Sequence, residues 1–151
     1  MLELARPEDR QAINVICTQC HALHVQWRPD IYKMDTELYD EEWFLEGLKE
    51  KQIYVAKLHG VIVGYLRYRI RDIDNPGSVK RRLFLLDEFA VEESCRGQGI
   101  GTEMMGDVMA LARAFGCNDI QLSVYPQNDA AVALYRKFGF AIRNINMMRK
   151  V

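Results

Sequence analysis

An α/β domain, with a central mixed sheet flanked by helices on both faces, is the fold this sequence predicts, on three observations. Gln52 to Leu58, the pair His59-Gly60 and Val61 to Arg71 read as two strands closed by a tight hairpin turn. An apolar stretch from Leu83 to Val91 runs into Arg96-Gly97-Gln98-Gly99-Ile100-Gly101-Thr102, then into an amphipathic helix and a further strand. Two helical stripes precede the hairpin. Antiparallel strands followed by a strand-helix-strand unit give a sheet of mixed direction. The glycine loop then falls at the carboxyl end of a strand, where ligands bind in such sheets.

Taken in order, Leu2 to Ala5 is a short first strand, and Pro7 suits the first turn of a helix because that position needs no N–H. Ile13, Ile16, Cys17, Cys20, Leu23 and Trp27 share one face of this helix, and Pro29 ends it. Tyr39, Trp43, Phe44 and Leu48 place a second helix over roughly Thr36 to Lys49. After the hairpin, Asn75-Pro76-Gly77 marks an exposed turn before the strand Arg81 to Val91. The third helix, Ile100 to Phe115, buries Ile100, Met104, Val108, Leu111, Ala112 and Phe115. Ile120, Leu122 and Val124 form one face of the next strand and Gln121, Ser123 and Tyr125 the other. A last helix covers about Asp129 to Phe138, and strand material comes after Gly139.

The chain of 151 residues reads as one domain, 1–151, with a substantial core. No apolar run is long enough to span a membrane, and Met1-Leu2-Glu3-Leu4 does not open like a signal peptide, so a cytoplasmic protein without a membrane partner is expected. A net charge of −1 gives no general attraction to nucleic acid. The four cysteines read as free thiols. Cys17 and Cys20 form C-x-x-C inside a helix, and Cys95 and Cys117 stand alone, so no metal site is expected.

The glycine loop carries the chemistry. A P-loop needs a lysine after its last glycine, and here Thr102 comes after Gly101. A dinucleotide fingerprint needs G-x-G-x-x-G, and the chain offers G-x-G-x-G. What remains is a cradle in which glycines permit φ > 0 and close approach, so that backbone N–H groups and a helix start face one anion.

Downstream, Leu122 to Phe140 completes a pattern. With Glu88-Phe89-Ala90-Val91 and the loop, it resembles the GCN5-related N-acetyltransferase (GNAT) superfamily. Arg96, Gly99 and Gly101 supply the family's Gln/Arg-x-x-Gly-x-Gly/Ala in order, and Asn128, Tyr135 and Gly139-Phe140 match the family's Asn, Tyr and Gly-Phe positions downstream of that loop. The resemblance covers about residues 83 to 141. It implies the acyl-CoA N-acyltransferase fold, whose fourth and fifth strands splay apart to admit pantetheine. It also implies acetyl-CoA as acyl donor, held by Arg96, Gly97, Gln98, Gly99, Ile100, Gly101 and Thr102 at its phosphates and by Asn128, Ala131 and Tyr135 along its arm. Backbone N–H groups around Phe89, Ala90 and Val91 would polarise the thioester carbonyl, and a homodimer is common in the family. Asn128 is independently well placed as a helix N-cap.

Acetyl transfer to an amine needs a base for the ammonium and an acid for the leaving thiolate. Asp87 and Glu88 are the candidate bases. As neighbours on a strand they should face opposite ways unless a bulge changes the alternation, and either could instead pair with Arg69 or Arg96. The stretch Leu86 to Val91 resembles the diamine and polyamine branch, in which the first acid is the base; other branches carry a glutamate where this chain has Ser123. Tyr135 is the candidate acid, since a phenol near pKa ~10 stays protonated at neutral pH. Residues 30–50 hold eight acids against Lys33 and Lys49; the resemblance implies that this stretch overhangs the acceptor cleft, where an acidic rim would favour a cationic acceptor, the alternative being solvated faces of surface helices. The acceptor is expected to be a small-molecule amine or a peptide amino group. A non-catalytic acyl-CoA-binding regulatory module is the alternative.

Overall fold

The structure, a computed structural model, describes residues 1–35 and 38–151. Five strands, β1 (Leu2–Leu4), β2 (Ile53–Leu58), β3 (Val61–Ile73), β4 (Arg81–Val91) and β5 (Asp119–Leu122), lie side by side in chain order. The first four pair antiparallel and β5 runs parallel to β4, which is the predicted mixed sheet. Helices α1 (Arg10–Trp27) and α2 (Glu41–Lys49) cover one face. On the other lie α3 (Ile100–Ala114) and α4 (Asp129–Lys137). Among the described residues no helix is long and apolar enough to cross a membrane.

The hairpin between β2 and β3 turns through His59 and Gly60, with φ of 50° and 81°, the type I′ geometry that matches strand twist. β3 is buried on both faces from Val63 to Tyr68, so alternate residues serve two cores. Tyr65 packs with Ile13, Ile16, Phe44 and Val55 under α1 and α2, while Leu66 and Tyr68 pack with Phe84, Met105 and Val108 under α3. Each fully buried side chain of this kind contributes roughly 1.5–3 kcal/mol. Gly64 lets α3 sit close. A Cβ there would lie 2.7 Å from Met104 Sδ and 2.8 Å from the Ala90 carbonyl.

Three expected boundaries move. The second helix begins at Glu41, because the Asp40 carboxylate accepts the Trp43 N–H (3.0 Å) and caps it; Tyr39 precedes the cap and is buried. Thr36, the expected start, lies outside the described residues, as does Glu37. β5 stops at Leu122, short of Val124, and the strand material expected after Gly139 is not formed, because residues 141–151 make no backbone hydrogen bond among the described residues.

Two irregularities position the site. β4 and β5 are paired only from Leu83↔Asp119 to Leu86↔Leu122, after which β4 continues to Val91 and the chain leaves β5, so a gap opens between them. In the β3–β4 ladder Arg67 faces Glu88 but Tyr68 faces Leu86, which leaves Asp87 as the extra residue of a bulge.

Candidate active site

The loop before α3 is open backbone. Gly97 and Gly99 hold φ of 74° and 87°, and a Cβ on either would meet no atom within 4 Å. Gly101 has a different task. It lies in the first turn of α3, outside the positive-φ set, and a Cβ there would come within 3.4 Å of Leu134 Cδ2 and 3.7 Å of Val91 Cγ2, so it seats α3 against α4 and β4. Thr102 and Glu103 N–H groups donate to the Gly99 carbonyl (2.9 and 3.1 Å). No side chain caps this helix, and no acceptor among the described residues takes the N–H of Ile100 or Gly101. By contrast Asn128 caps α4, its Oδ1 accepting the Ala131 N–H at 3.2 Å. Arg96 Nε donates to the Val91 carbonyl (3.0 Å) and Gln98 Nε2 to the Ser94 carbonyl (2.9 Å), bracing the loop while other N–H groups of both side chains remain. A pyrophosphate fits these donors and the positive end of the α3 dipole.

Across the gap, α4 turns Tyr135 toward β4. Its ring lies 6.4 Å from Phe89 and 5.6 Å from Phe140, and it is 8% exposed. Its hydroxyl makes no hydrogen bond among the described residues. Burial, with Cys20 of α1 as a second influence, pushes the phenol up to about 12, so it stays protonated well above neutral pH. The Cys20 thiol is also held up by burial, against the pull of Arg96, with Glu88 adding to the rise. Cys20 thus stands within electrostatic reach of Tyr135, Arg96 and Glu88.

Because of the bulge, Asp87 and Glu88 do not face opposite ways. Phe84 and Leu86 pack toward α3, and so do Phe89 and Val91, which leaves Asp87, Glu88 and Ala90 on the side of α1 and α2. Arg69 grips Asp87 with two bonds, Nε to Oδ2 at 2.6 Å and Nη2 to Oδ1 at 2.8 Å. Glu88 is held differently. Burial raises its carboxyl pKa, the Tyr39 and Tyr65 hydroxyls and then Arg67 oppose the rise, and Oε2 has no hydrogen-bond partner. The Tyr39 hydroxyl approaches Glu88 without completing a hydrogen bond to it.

Arg67, 4% exposed, stacks its guanidinium 3.5 Å from the Trp43 ring centroid and donates to the Trp43 carbonyl (3.2 Å) and Gln52 Oε1 (3.4 Å). It lines a cavity of about 490 Å³ with Trp43, Glu46, Gln52, Arg69 and Asp87. A second cavity, about 280 Å³, shares Arg69 and Asp87 and adds Arg71, Gln121 and Ser123. The expected acidic rim therefore does not line this space: of the acids in 30–50 only Glu46 does so among the described residues, and arginines of β3 supply most of the charge. Asp30 is instead bonded to Arg28 (2.7 and 2.9 Å).

The profile of the acetyltransferase (GNAT) family matches residues 18–140. The chain belongs to the GNAT acetyltransferase family. An N-alpha-acetyltransferase of Sulfolobus acidocaldarius is 31% identical over 75% of this chain and 70% of its own length. A spermine/spermidine N(1)-acetyltransferase of Bacillus subtilis is 34% identical over 64% of this chain and 65% of its own. Among solved structures, the BH1408 protein of Bacillus halodurans shares the fold with TM-score 0.94 and 22% identity over 100% of this chain and 99% of that one. An acetyltransferase from Vibrio fischeri gives 0.62 and 20% over 81% and 93%.

In this GNAT chain Gly101 of the loop packs against Leu134 of α4, the helix that Asn128 caps and that carries Tyr135. Sequence reasoning missed the surroundings of Glu88. Tyr39 comes from the segment before α2 and Tyr65 and Arg67 from β3, and they carry no motif; the hint was that β3 places an arginine in an otherwise apolar run. It also missed the aromatic group holding the connection after α1 against the end of β5, where the Tyr32 and Tyr125 hydroxyls meet at 2.7 Å and His24 lies about 5.5 Å from both rings. The four cysteines are free, and among the described residues no three His, Cys, Asp or Glu side chains gather as a metal site would need.

Proposed function

We propose that the chain transfers the acetyl group of acetyl-CoA directly to a primary amine, either of a small molecule or of a peptide or protein. The observation that carries this reading is the placement of an uncapped helix start and Tyr135 on one side of the β4–β5 gap and, on the other, a half-buried Glu88 whose Oε2 is enclosed without a hydrogen-bond partner. Bound at the loop, acetyl-CoA supplies an activated acetyl thioester. Loop N–H groups from Gly97 to Gly101, with the side chains of Arg96, Gln98 and Thr102, hold its phosphates. Asn128 and Ala131 orient the arm, and backbone N–H groups near Phe89 to Val91 stabilise negative charge on the carbonyl oxygen without reorganising.

On the acceptor side, Glu88 takes the ammonium proton, directly or through water. A carboxyl raised by burial is better matched to an amine than an ordinary one. Asp87, already engaged with Arg69, positions the acceptor. Tyr135 serves as the acid: complete transfer from a phenol at about 12 to a thiol near ~8.5 is uphill, so its main action is a hydrogen bond to the departing sulfur. The acceptor classes of the archaeal and bacillar relatives support both a peptide amino terminus and a polyamine.

The test is release of free CoA thiol from acetyl-CoA against a panel containing spermidine and peptides with free amino termini. Amine-dependent release is expected. Acetyl-CoA binding without release for any acceptor would favour the non-catalytic acyl-CoA-binding module, and absence of binding would overturn both.

A further inference from the structure

Strand β3 carries arginine at every second position from Arg67 to Arg71, so all three side chains leave one face of the sheet, the face on which Tyr65 packs beneath α1 and α2. Their situations differ. Arg69 is neutralised by its two bonds to Asp87, and Arg71 stands exposed at the far end of the row. Arg67 is buried, with its guanidinium carbon 3.5 Å from the Trp43 ring centroid, and α2 passes so close that a Cβ on Gly47 would lie 3.3 Å from Arg67 Cζ. The second helix thus holds one cation in one place.

A cation taken out of water is costly unless a counter-charge meets it. The hydrogen bonds of Arg67 go to neutral oxygens, the Trp43 carbonyl and, at 3.4 Å, Gln52 Oε1, and among the described residues no carboxylate forms an ion pair with it. Glu88 faces it across the β3–β4 ladder without making that pair. The charge is directed at space instead. Arg67 lines the cavity of about 490 Å³, and the cavity of about 280 Å³, which shares Arg69 and Asp87 with it, carries Arg71 and reaches Ser123 just beyond the paired part of β5. Glu46, the other acid of the larger cavity, is exposed and screened by solvent.

We propose that the acceptor amine carries a carboxylate, which Arg67 receives as the specificity-determining contact while the amine lies toward Glu88 and Asp87. The inference rests on the acetyl-transfer reading above and names its acceptor class. Arg67 and Glu88 are direct ladder partners, with Cα atoms ~5 Å apart, so one compact molecule can meet both. A guanidinium fixed in its plane suits the two oxygens of a carboxylate, and Arg71 adds a second positive charge along the approach. A polyamine would instead set cation against cation. In the transfer the acetyl carbon leaves the CoA sulfur for the amine nitrogen, CoA departs as the thiol, and the acceptor carboxylate is unchanged. A free amino acid and a peptide with an acidic first residue share this chemistry.

Release of CoA thiol with the full chain is compared within two matched pairs, alanine against alaninamide, and a C-terminally amidated peptide beginning with aspartate against the same peptide beginning with asparagine, with spermidine alongside. In at least one pair the acid should exceed its amide by at least ~10-fold in kcat/KM, that pair naming the source, and spermidine should be slower than the preferred acid. Arg67→Gln should abolish the preference, the loss falling on KM for the acid; a merely structural arginine would lower acid and amide alike. Equal rates within both wild-type pairs, a comparison that needs no variant to fold, would overturn the inference, as would an Arg67→Gln enzyme that keeps the preference. Spermidine faster than either acid would overturn it and leave acetyl transfer standing. Release with no acceptor would overturn the transfer reading and this inference with it.

Discussion

On one side of the β4–β5 gap, seven consecutive residues from Arg96 to Thr102, with positive φ at Gly97 and Gly99 and no side-chain cap on α3, form the loop proposed to hold the phosphates. On the other, Glu88 of β4 meets Tyr39 from the segment before α2 and Tyr65 and Arg67 of β3, residues far apart in sequence. The donor side depends on φ angles and an absent cap; the acceptor side depends on burial and on which carboxylate is already paired. Substitutions should therefore separate the two, the first moving affinity for acetyl-CoA and the second moving proton transfer and acceptor use.

The largest expected effect lies where the sides meet. Tyr135→Phe should lower kcat by about 10²-fold or more while acetyl-CoA affinity, read by calorimetry, stays near wild type. Unchanged kcat when chemistry limits turnover would remove the phenol from the mechanism.

Glu88→Gln should lower kcat/KM by about 10²-fold at neutral pH and recover part of it at high pH, where the free amine is abundant. Its stability should move oppositely. The folded-state pKa of Glu88 is raised, so the folded chain keeps a proton that the unfolded chain has lost, and wild-type stability declines as pH rises from the ordinary carboxyl value through the raised one. Thermal melts of the amide variant should lack that decline. A shared decline would mean that the burial cost resides elsewhere.

Gly99→Val should weaken acetyl-CoA binding by about 10-fold or more, because a branched residue at φ 87° reshapes the loop even though space is open above it. Wild-type affinity in this variant would dissolve the distinction drawn between the two sides. The smallest effect is expected at the paired acid: Asp87→Asn should raise acceptor KM by about 10-fold or less with kcat little changed. Loss of kcat there instead of in Glu88→Gln would exchange the roles of the two carboxylates.

The legibility of the two sides in sequence comes from the same difference. The glycine loop, the Asn128 cap and the place of Tyr135 on the last helix were readable because glycine spacing, a cap and a helix stripe are local, and the sheet order could be read from a hairpin and a strand-helix-strand unit. Glu88 and Asp87 were found as a pair, placed on opposite faces by strict alternation unless a bulge changed it. One extra residue in β4 decided otherwise, and a bulge leaves no mark in composition. The acids crowded along 30–50 lie, among the described residues, mostly outside the two cavities, whereas Arg67, Arg69 and Arg71 share one face of β3 and line them, a placement that charge counted along the sequence does not reveal. The strand expected after Gly139 is not formed: residues 141–151 make no backbone hydrogen bond among the described residues, although β5 presents a free edge.

Direct transfer between two sides of one gap is most directly tested by initial rates with acetyl-CoA and acceptor both varied, alongside intact-mass analysis of enzyme incubated with acetyl-CoA alone. Cys20 lies near Tyr135 and Cys17 near Tyr65, and burial holds both thiols up, Cys17 to about 11, where they are poor nucleophiles at neutral pH. Intersecting lines and an unmodified mass are expected. Parallel lines with an added acetyl group on Cys20 or Cys17 would contradict direct transfer.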